Sequence, residues 1–194
     1  MGTSNNYPSY TTSRREFFTI WMKSLVFHGN GCTVYDSNGQ IVYRIDNYDQ
    51  KGNHEVSLMD LHGNVLFSIR QKRAPVFRHW DGYKWNASSK QEMETPWFQV
   101  RKDHTVLRGD SLTYHVTLSD ARSSCLRILA MPEKSDFKIV DGQGKIVAQV
   151  NRKLSSKSGA DLGDDVLSLV VEPHVDHSLI MALVTVCNLS LRKF

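Results

Sequence analysis

The residues of this chain with the widest chemical reach are eight histidines and three cysteines, and their spacing argues against catalysis or metal binding. His174-Val-Asp-His177 comes nearest to a metal-ligand interval. It has no partner cysteines and lacks the H-E-x-x-H pattern that sets two imidazoles and a base on one helix face. Its place just ahead of an apolar run reads as helix capping and surface polarity. Cys32, Cys125 and Cys187 are odd in number and form no CxxC pair. That suits reduced thiols used as small core residues in a reducing compartment. Cys32 and Cys125 fall in strand-like runs. Cys187 falls in an apolar helix-like run, where burial raises a thiol's pKa and makes it inert. A G-x-S-x-G elbow, a P-loop and a G-x-G-x-x-G fingerprint are all missing, and Gly142-Gln-Gly144 is a turn with no helix behind it. We therefore expect no catalytic residues, no metal and no cofactor, and not an enzyme.

Charge offers more. Arg70, Lys72 and Arg73 end one strand-like run, and Arg152 with Lys153 end another. If the two runs are spatial equivalents, these five residues form a basic rim suited to phosphoinositide phosphates. Each Lys or Arg near an anionic membrane is worth about 1 kcal/mol. The competing reading is that charged strand ends are merely solvated. Arg127 and Lys138 point outward by alternation and extend either picture, and His115 points outward too. The net charge of +4 is mild and reads as an ordinary solvated surface rather than a nucleic-acid face. Trp80, Tyr83, Trp85, Trp97 and Phe98 sit among basic residues, and core packing explains them better than base stacking.

What must position these residues is declared by a motif that recurs three times. Asp36-Ser-Asn-Gly39-Gln-Ile-Val-Tyr, Asp60-Leu-His-Gly63-Asn-Val-Leu-Phe and Asp141-Gly-Gln-Gly144-Lys-Ile-Val-Ala each set Asp three residues before Gly. The Asp opens a tight turn and accepts backbone N–H bonds. The Gly supplies the positive φ that a type I turn plus bulge needs, and an alternating strand follows. About twelve strands are expected, mostly antiparallel, near Glu16–Trp21, 32–36, 40–46, Glu55–Asp60, 64–71, 76–80, 97–102, Leu112–Leu118, 124–130, Asp136–Val140, 145–152 and 166–172. By alternation Ile41, Tyr43 and Ile45 share the inner face, as do Val65, Phe67 and Ile69, and Ile146, Ala148 and Val150. Residues 82–95 and 154–165 carry no period and read as loops, and residues 1–13 as a disordered arm ahead of one domain over 14–194. No secretory signal is visible, and the expected compartment is the cytoplasm.

The C-terminal run differs. Asp176 is set to cap a helix over the apolar stretch from Leu179 to Cys187. Only Ser178, Thr185, Asn188 and Arg192 form a polar stripe, with Ser190 apart from it, so the helix is either buried or in a membrane. The uncharged run from Ser178 to Leu191 is about 21 Å long at 1.5 Å per residue, short of the ~30 Å hydrocarbon core. A buried helix wrapped by the strands as a closed barrel is the economical solution, and it leaves no sheet edge exposed.

Three further stretches now carry a resemblance: 144–153 (Gly-Lys-Ile-Val-Ala-Gln-Val-Asn-Arg-Lys), 162–166 (Leu-Gly-Asp-Asp-Val) and Glu172-Pro-His-Val-Asp176 before Leu-Ile-Met-Ala-Leu-Val. Together with Phe17-Phe-Thr-Ile-Trp-Met-Lys-Ser-Leu and the Asp36 and Asp60 repeats, they resemble the plant LURP-one-related family over roughly residues 15–192. The resemblance implies a tubby-like barrel, twelve strands around a hydrophobic C-terminal helix, with kinship to phospholipid scramblases and to membrane-tethered tubby regulators. It implies a non-enzymatic, monomeric module of plant defence that meets anionic phospholipid headgroups or a protein partner at the membrane periphery. The alternatives it leaves open are a tubby-type regulator reaching the nucleus and a scramblase-like membrane-inserted protein. No transmembrane span is expected, and no family ligand residue maps onto this chain.

Overall fold

The computed structural model describes residues 10–22, 31–47, 55–73, 78–103, 111–119, 125–131, 136–152 and 166–191. Its most local features are the three Asp-x-x-Gly turns, which are built alike. Asp36 Oδ1 accepts the N–H groups of Asn38 and Gln40 at 2.9 and 2.8 Å. Asp60 Oδ1 takes those of His62 and Asn64, and Asp141 Oδ1 those of Gln143 and Lys145, all at 2.9 Å. Gly39, Gly63 and Gly144 adopt φ of 77°, 81° and 84°, a region that suits a residue without Cβ. Backbone bonds at Asp36 hold its carboxyl below the usual range, the Gln40 N–H foremost.

Each turn joins two antiparallel strands: β2 (Cys32–Tyr35) to β3 (Ile41–Asn47), β4 (Glu55–Asp60) to β5 (Val65–Arg73), and β11 (Asp136–Val140) to β12 (Ile146–Arg152). All three ladders slip at the same place. Tyr35 pairs with Ile41 but Val34 with Tyr43, Met59 with Val65 but Leu58 with Phe67, and Val140 with Ile146 but Ile139 with Ala148. Val42, Leu66 and Val147 are thus bulge residues, and a bulge reverses the alternation behind it. That corrects one expectation. Tyr43, Ile45, Phe67, Ile69, Ala148 and Val150 are buried as alternation requires, whereas Ile41 and Ile146 are 45% and 37% exposed. The half-buried bulge residues pack on the core in their stead.

The remaining strands are β1 (Glu16–Trp21), β6 (Arg78–Asn86), β7 (Gln91–Glu92), β8 (Phe98–Lys102), β9 (Leu112–Leu118), β10 (Leu126–Met131) and β13 (Val166–Val171). The order β5-β4-β3-β2-β1-β13-β12-β11-β10-β9-β8-β6 closes on itself because β5 also pairs with β6 from Phe67↔Lys84 to Arg73↔Arg78. Twelve antiparallel strands make the ring, and β7 is a short flap on β6. Residues 82–95 are therefore not a loop throughout: β6 runs on to Asn86 and turns back through β7. Of the other aperiodic stretches, 154–165 lies outside the described residues. So do residues 1–9, but Tyr10 and Thr12 are tied down, their carbonyls accepting the N–H groups of His177 and His174 at 2.9 and 2.8 Å.

Through the ring passes α1 (His177–Leu191). Asp176 caps it as expected, its Oδ1 accepting the N–H groups of Ser178 at 2.9 Å and Leu179 at 3.2 Å. Ile180, Met181, Ala182 and Leu183 are wholly buried, and so are Ser178 and Thr185 of the polar stripe, with Thr185 donating its hydroxyl to the Met181 carbonyl at 2.9 Å. The barrel accommodates the helix by keeping some wall positions small, Ala130 and Ala148 among them. Gly82 fills another close approach, where a Cβ would meet the Phe98 ring at 2.1 Å.

Candidate functional site

The outer wall is where charge collects. In an antiparallel sheet, residues directly opposite one another hold their Cβ atoms about 4.5–5.5 Å apart. The register of five adjacent strands sets Lys72 of β5 opposite His79 of β6, His79 opposite Arg101 of β8, Arg101 opposite His115 of β9, and His115 opposite Arg127 of β10. Their neighbours Trp80, Val100, Val116 and Ile128 are buried in the core, so alternation turns the row outward. Four strand spacings of about 4.8 Å make it about 19 Å long.

Two members stand beside carboxylates. His115 Nε2 lies 2.9 Å from Asp103 Oδ2, and His79 Nε2 lies 3.6 Å from Asp81 Oδ1, too far for a hydrogen bond. Lys72 sits 5.9 Å from the Tyr83 ring centroid, and Arg101 reaches Gln99 at 3.4 Å. Among the described residues, no carboxylate pairs with Lys72, Arg101 or Arg127. The row thus carries three cations not offset by an ion pair.

The five residues singled out from sequence are distributed differently. Arg70 stands beside the row but is engaged: Nη2 lies 3.0 Å from Glu55 Oε1 and 2.8 Å from Glu92 Oε2, and the guanidinium lies 4.8 Å from the Tyr83 ring. Burial alone would lower its pKa, but its bonds and charge pairing with the two glutamates raise it, so the group stays a cation held in place. Lys72 belongs to the row. Arg73 closes β5. Arg152 closes β12, opposite the inward-facing Leu167, with its backbone N–H donating to Asp136 Oδ1 at 3.1 Å. Lys153 lies outside the described residues. In the ring β5 and β12 are six strands apart whichever way one counts. Their ends share one end of the barrel but face opposite sides, so Arg70 and Lys72 do not join Arg152 in one patch.

Of the two histidines at the helix start, His174 is exposed and His177 is half-buried. His177 Nδ1 is hydrogen-bonded to the Tyr43 hydroxyl, and its ring lies against Tyr10 and Phe18 at centroid distances of 5.6 Å. Burial lowers the His177 pKa against the opposing pull of Asp176 and Glu16, and burial raises that of Tyr43, so both are neutral at pH 7. The pair serves as internal mortar. Among the described residues no group of histidines, cysteines and carboxylates is arranged to hold a metal ion. Cys187 is buried with its pKa pushed up by desolvation, and Cys32 is also buried. Cys125 differs from expectation, being exposed just ahead of β10. Among the described residues, no helix is long and apolar enough to cross a membrane.

A closed antiparallel barrel built around a buried C-terminal helix, with a basic row on its outside, defines the class of protein. The family model described as LURP-one-related matches residues 16–188, and the chain belongs to the LURP-one-related family. It is 45% identical over 188 residues to Protein LURP-one-related 3 of Arabidopsis thaliana and equally to Protein LURP-one-related 2, covering 93% of this chain and 82% of each relative. Protein LURP-one-related 11 of the same plant is 43% identical over 182 residues, covering 90% of this chain and 77% of the relative. The fold is also similar to a solved X-ray structure of an Arabidopsis thaliana protein. Its TM-score is 0.65 at 19% identity, over 98% of this chain and 100% of that one.

Proposed function

We propose that this chain is a non-enzymatic binding module whose outer wall docks, reversibly, on the anionic headgroups of a phospholipid membrane, phosphoinositides first among them. The observation that carries this reading is the cross-strand row Lys72–His79–Arg101–His115–Arg127. Three cations at about 1 kcal/mol each near an anionic surface give about 3 kcal/mol, or roughly a hundredfold enrichment. The Debye length of about 8 Å at physiological salt confines that attraction to close approach. The result is weak peripheral association that a multivalent headgroup would strengthen. At the helix start Asp176 caps α1 and His177 is hydrogen-bonded to Tyr43, so both side chains serve the structure.

The test is co-sedimentation of the whole chain with phosphatidylcholine vesicles, with and without a phosphoinositide, at low and high salt. Binding to the charged vesicles alone, lost at high salt and in the Arg101→Gln, Arg127→Gln double variant, is the expected result. Equal binding to both vesicle types, or none to either, removes the lipid reading.

A further inference from the structure

A cavity of about 320 Å³ opens where the wall comes apart. β5 and β6 are paired as far as Phe67↔Lys84, and both strands then continue without each other. β5 is drawn toward β4 by the bulge at Leu66, while β6 bends back into β7. The gap between them is lined on one side by Leu66 and Phe67 and on the other by Trp85 and Ala87, with Tyr10 and the helix start at its floor. It lies five residues along β5 from Lys72, about 17 Å at strand rise, and is separate from the basic row.

Its walls have a definite chemistry. The Trp85 indole is fixed, its Nε1 donating to Ser68 Oγ at 2.8 Å, so it offers a flat, immobile apolar face. Lys90 brings an ammonium to the lining from an exposed turn. Its backbone holds φ at 50°, with its N–H donating to the Asn86 carbonyl at 2.9 Å. One carboxylate, that of Asp60, also borders the cavity, and it accepts the N–H groups of His62 and Asn64 and the Asn64 side-chain amide. The helix N-terminus below offers little to an anion, because Asp176 already accepts its first N–H groups. Positive charge at this site therefore comes from lysine side chains. At about 30 Å³ per water the space equals roughly ten waters, or a ligand of about a dozen non-hydrogen atoms. A rigid flat wall favours a ring over a flexible chain of equal volume, which would lose more rotamer entropy on entering.

We propose that this cavity binds a small aromatic carboxylate, its ring against Trp85 and Leu66 and its carboxylate on the Lys90 ammonium. The test is calorimetric titration of the full chain with 2-naphthoate and with its neutral counterpart 2-naphthamide, with Trp85 fluorescence followed in parallel. Saturable one-to-one binding of the naphthoate is expected, about tenfold weaker for the amide and for Lys90→Asn, as fits the loss of a charge-assisted hydrogen bond. Asn tolerates the left-handed backbone at that position, so Lys90→Asn removes charge without strain. Ala87→Phe, on the exposed turn, fills the cavity and should abolish binding. Unsaturable binding, equal affinity for acid and amide, or indifference to Ala87→Phe would each overturn the assignment.

Discussion

The inside of the barrel and its outer wall are made by the same strands and obey different rules. Inside, Ile180, Met181, Ala182 and Leu183 meet the wall with no exposed surface, and Gly82 leaves no room for a Cβ beside Phe98. Outside, Lys72, Arg101 and Arg127 stand in register without an ion-pair partner among the described residues. One face of each strand is set by volume and the other by charge. The lesson is that substitutions within the core should change stability, and substitutions along the row should change binding.

The sharpest way to break that contrast is Leu183→Ala, which removes a wholly buried side chain. It should destabilise by about 2–5 kcal/mol in urea unfolding, and a smaller loss would mean the helix is loosely held. Gly82→Ala tests close approach rather than cavity formation. Its Cβ would fall 2.1 Å from the Phe98 ring, and overpacking of this kind costs about 1–3 kcal/mol. Tyr43→Phe leaves the half-buried His177 Nδ1 without its partner and should cost about 1 kcal/mol. The same pair sets a pH dependence. Burial holds the folded His177 pKa below the unfolded value of about 6.5, so the unfolded chain takes up a proton first. The contribution is complete above that value and is lost as pH falls through the window beneath it. Urea midpoints on either side of the window should therefore fall more steeply in the parent chain than in His177→Gln. The smallest change expected is in the Arg101→Gln, Arg127→Gln pair, within about 0.5 kcal/mol of parent stability. A loss of vesicle binding without unfolding would sharpen the contrast, and unfolding would erase it.

Much of the inside was legible before any coordinates. The Asp-x-x-Gly spacing located three hairpins, Glu16–Trp21, Glu55–Asp60, Leu112–Leu118 and Asp136–Val140 were bounded by their own alternation and punctuation, and Asp176 announced α1. The exposed Ile41 and Ile146 were misjudged because simple alternation ignores an inserted residue. The doubled apolar pairs Ile41-Val42, Val65-Leu66 and Ile146-Val147 behind each turn were the available signal. Residues 82–95 were hidden for another reason: Tyr83 and Trp85 lean on Arg70 and Ser68 of a neighbouring strand, and that support leaves no local period. The basic row was out of reach in the same sense. Lys72 and Arg127 are brought to one face by four strand pairings between segments distant in the chain, and Arg70, Lys72 and Arg152 were grouped only by analogy between hairpins that proved to face apart.

The position of α1 has a bearing on how the molecule comes into being. Every strand of the ring precedes it along the chain, so during synthesis the wall leaves the ribosome before the piece that fills it. Until α1 has emerged, the inner faces of twelve strands have nothing to close upon, and the nascent polypeptide must be kept from clumping by other means. A stop codon placed ahead of Leu179 should accordingly yield insoluble product rather than a weakened barrel, whatever the health of the strands before it.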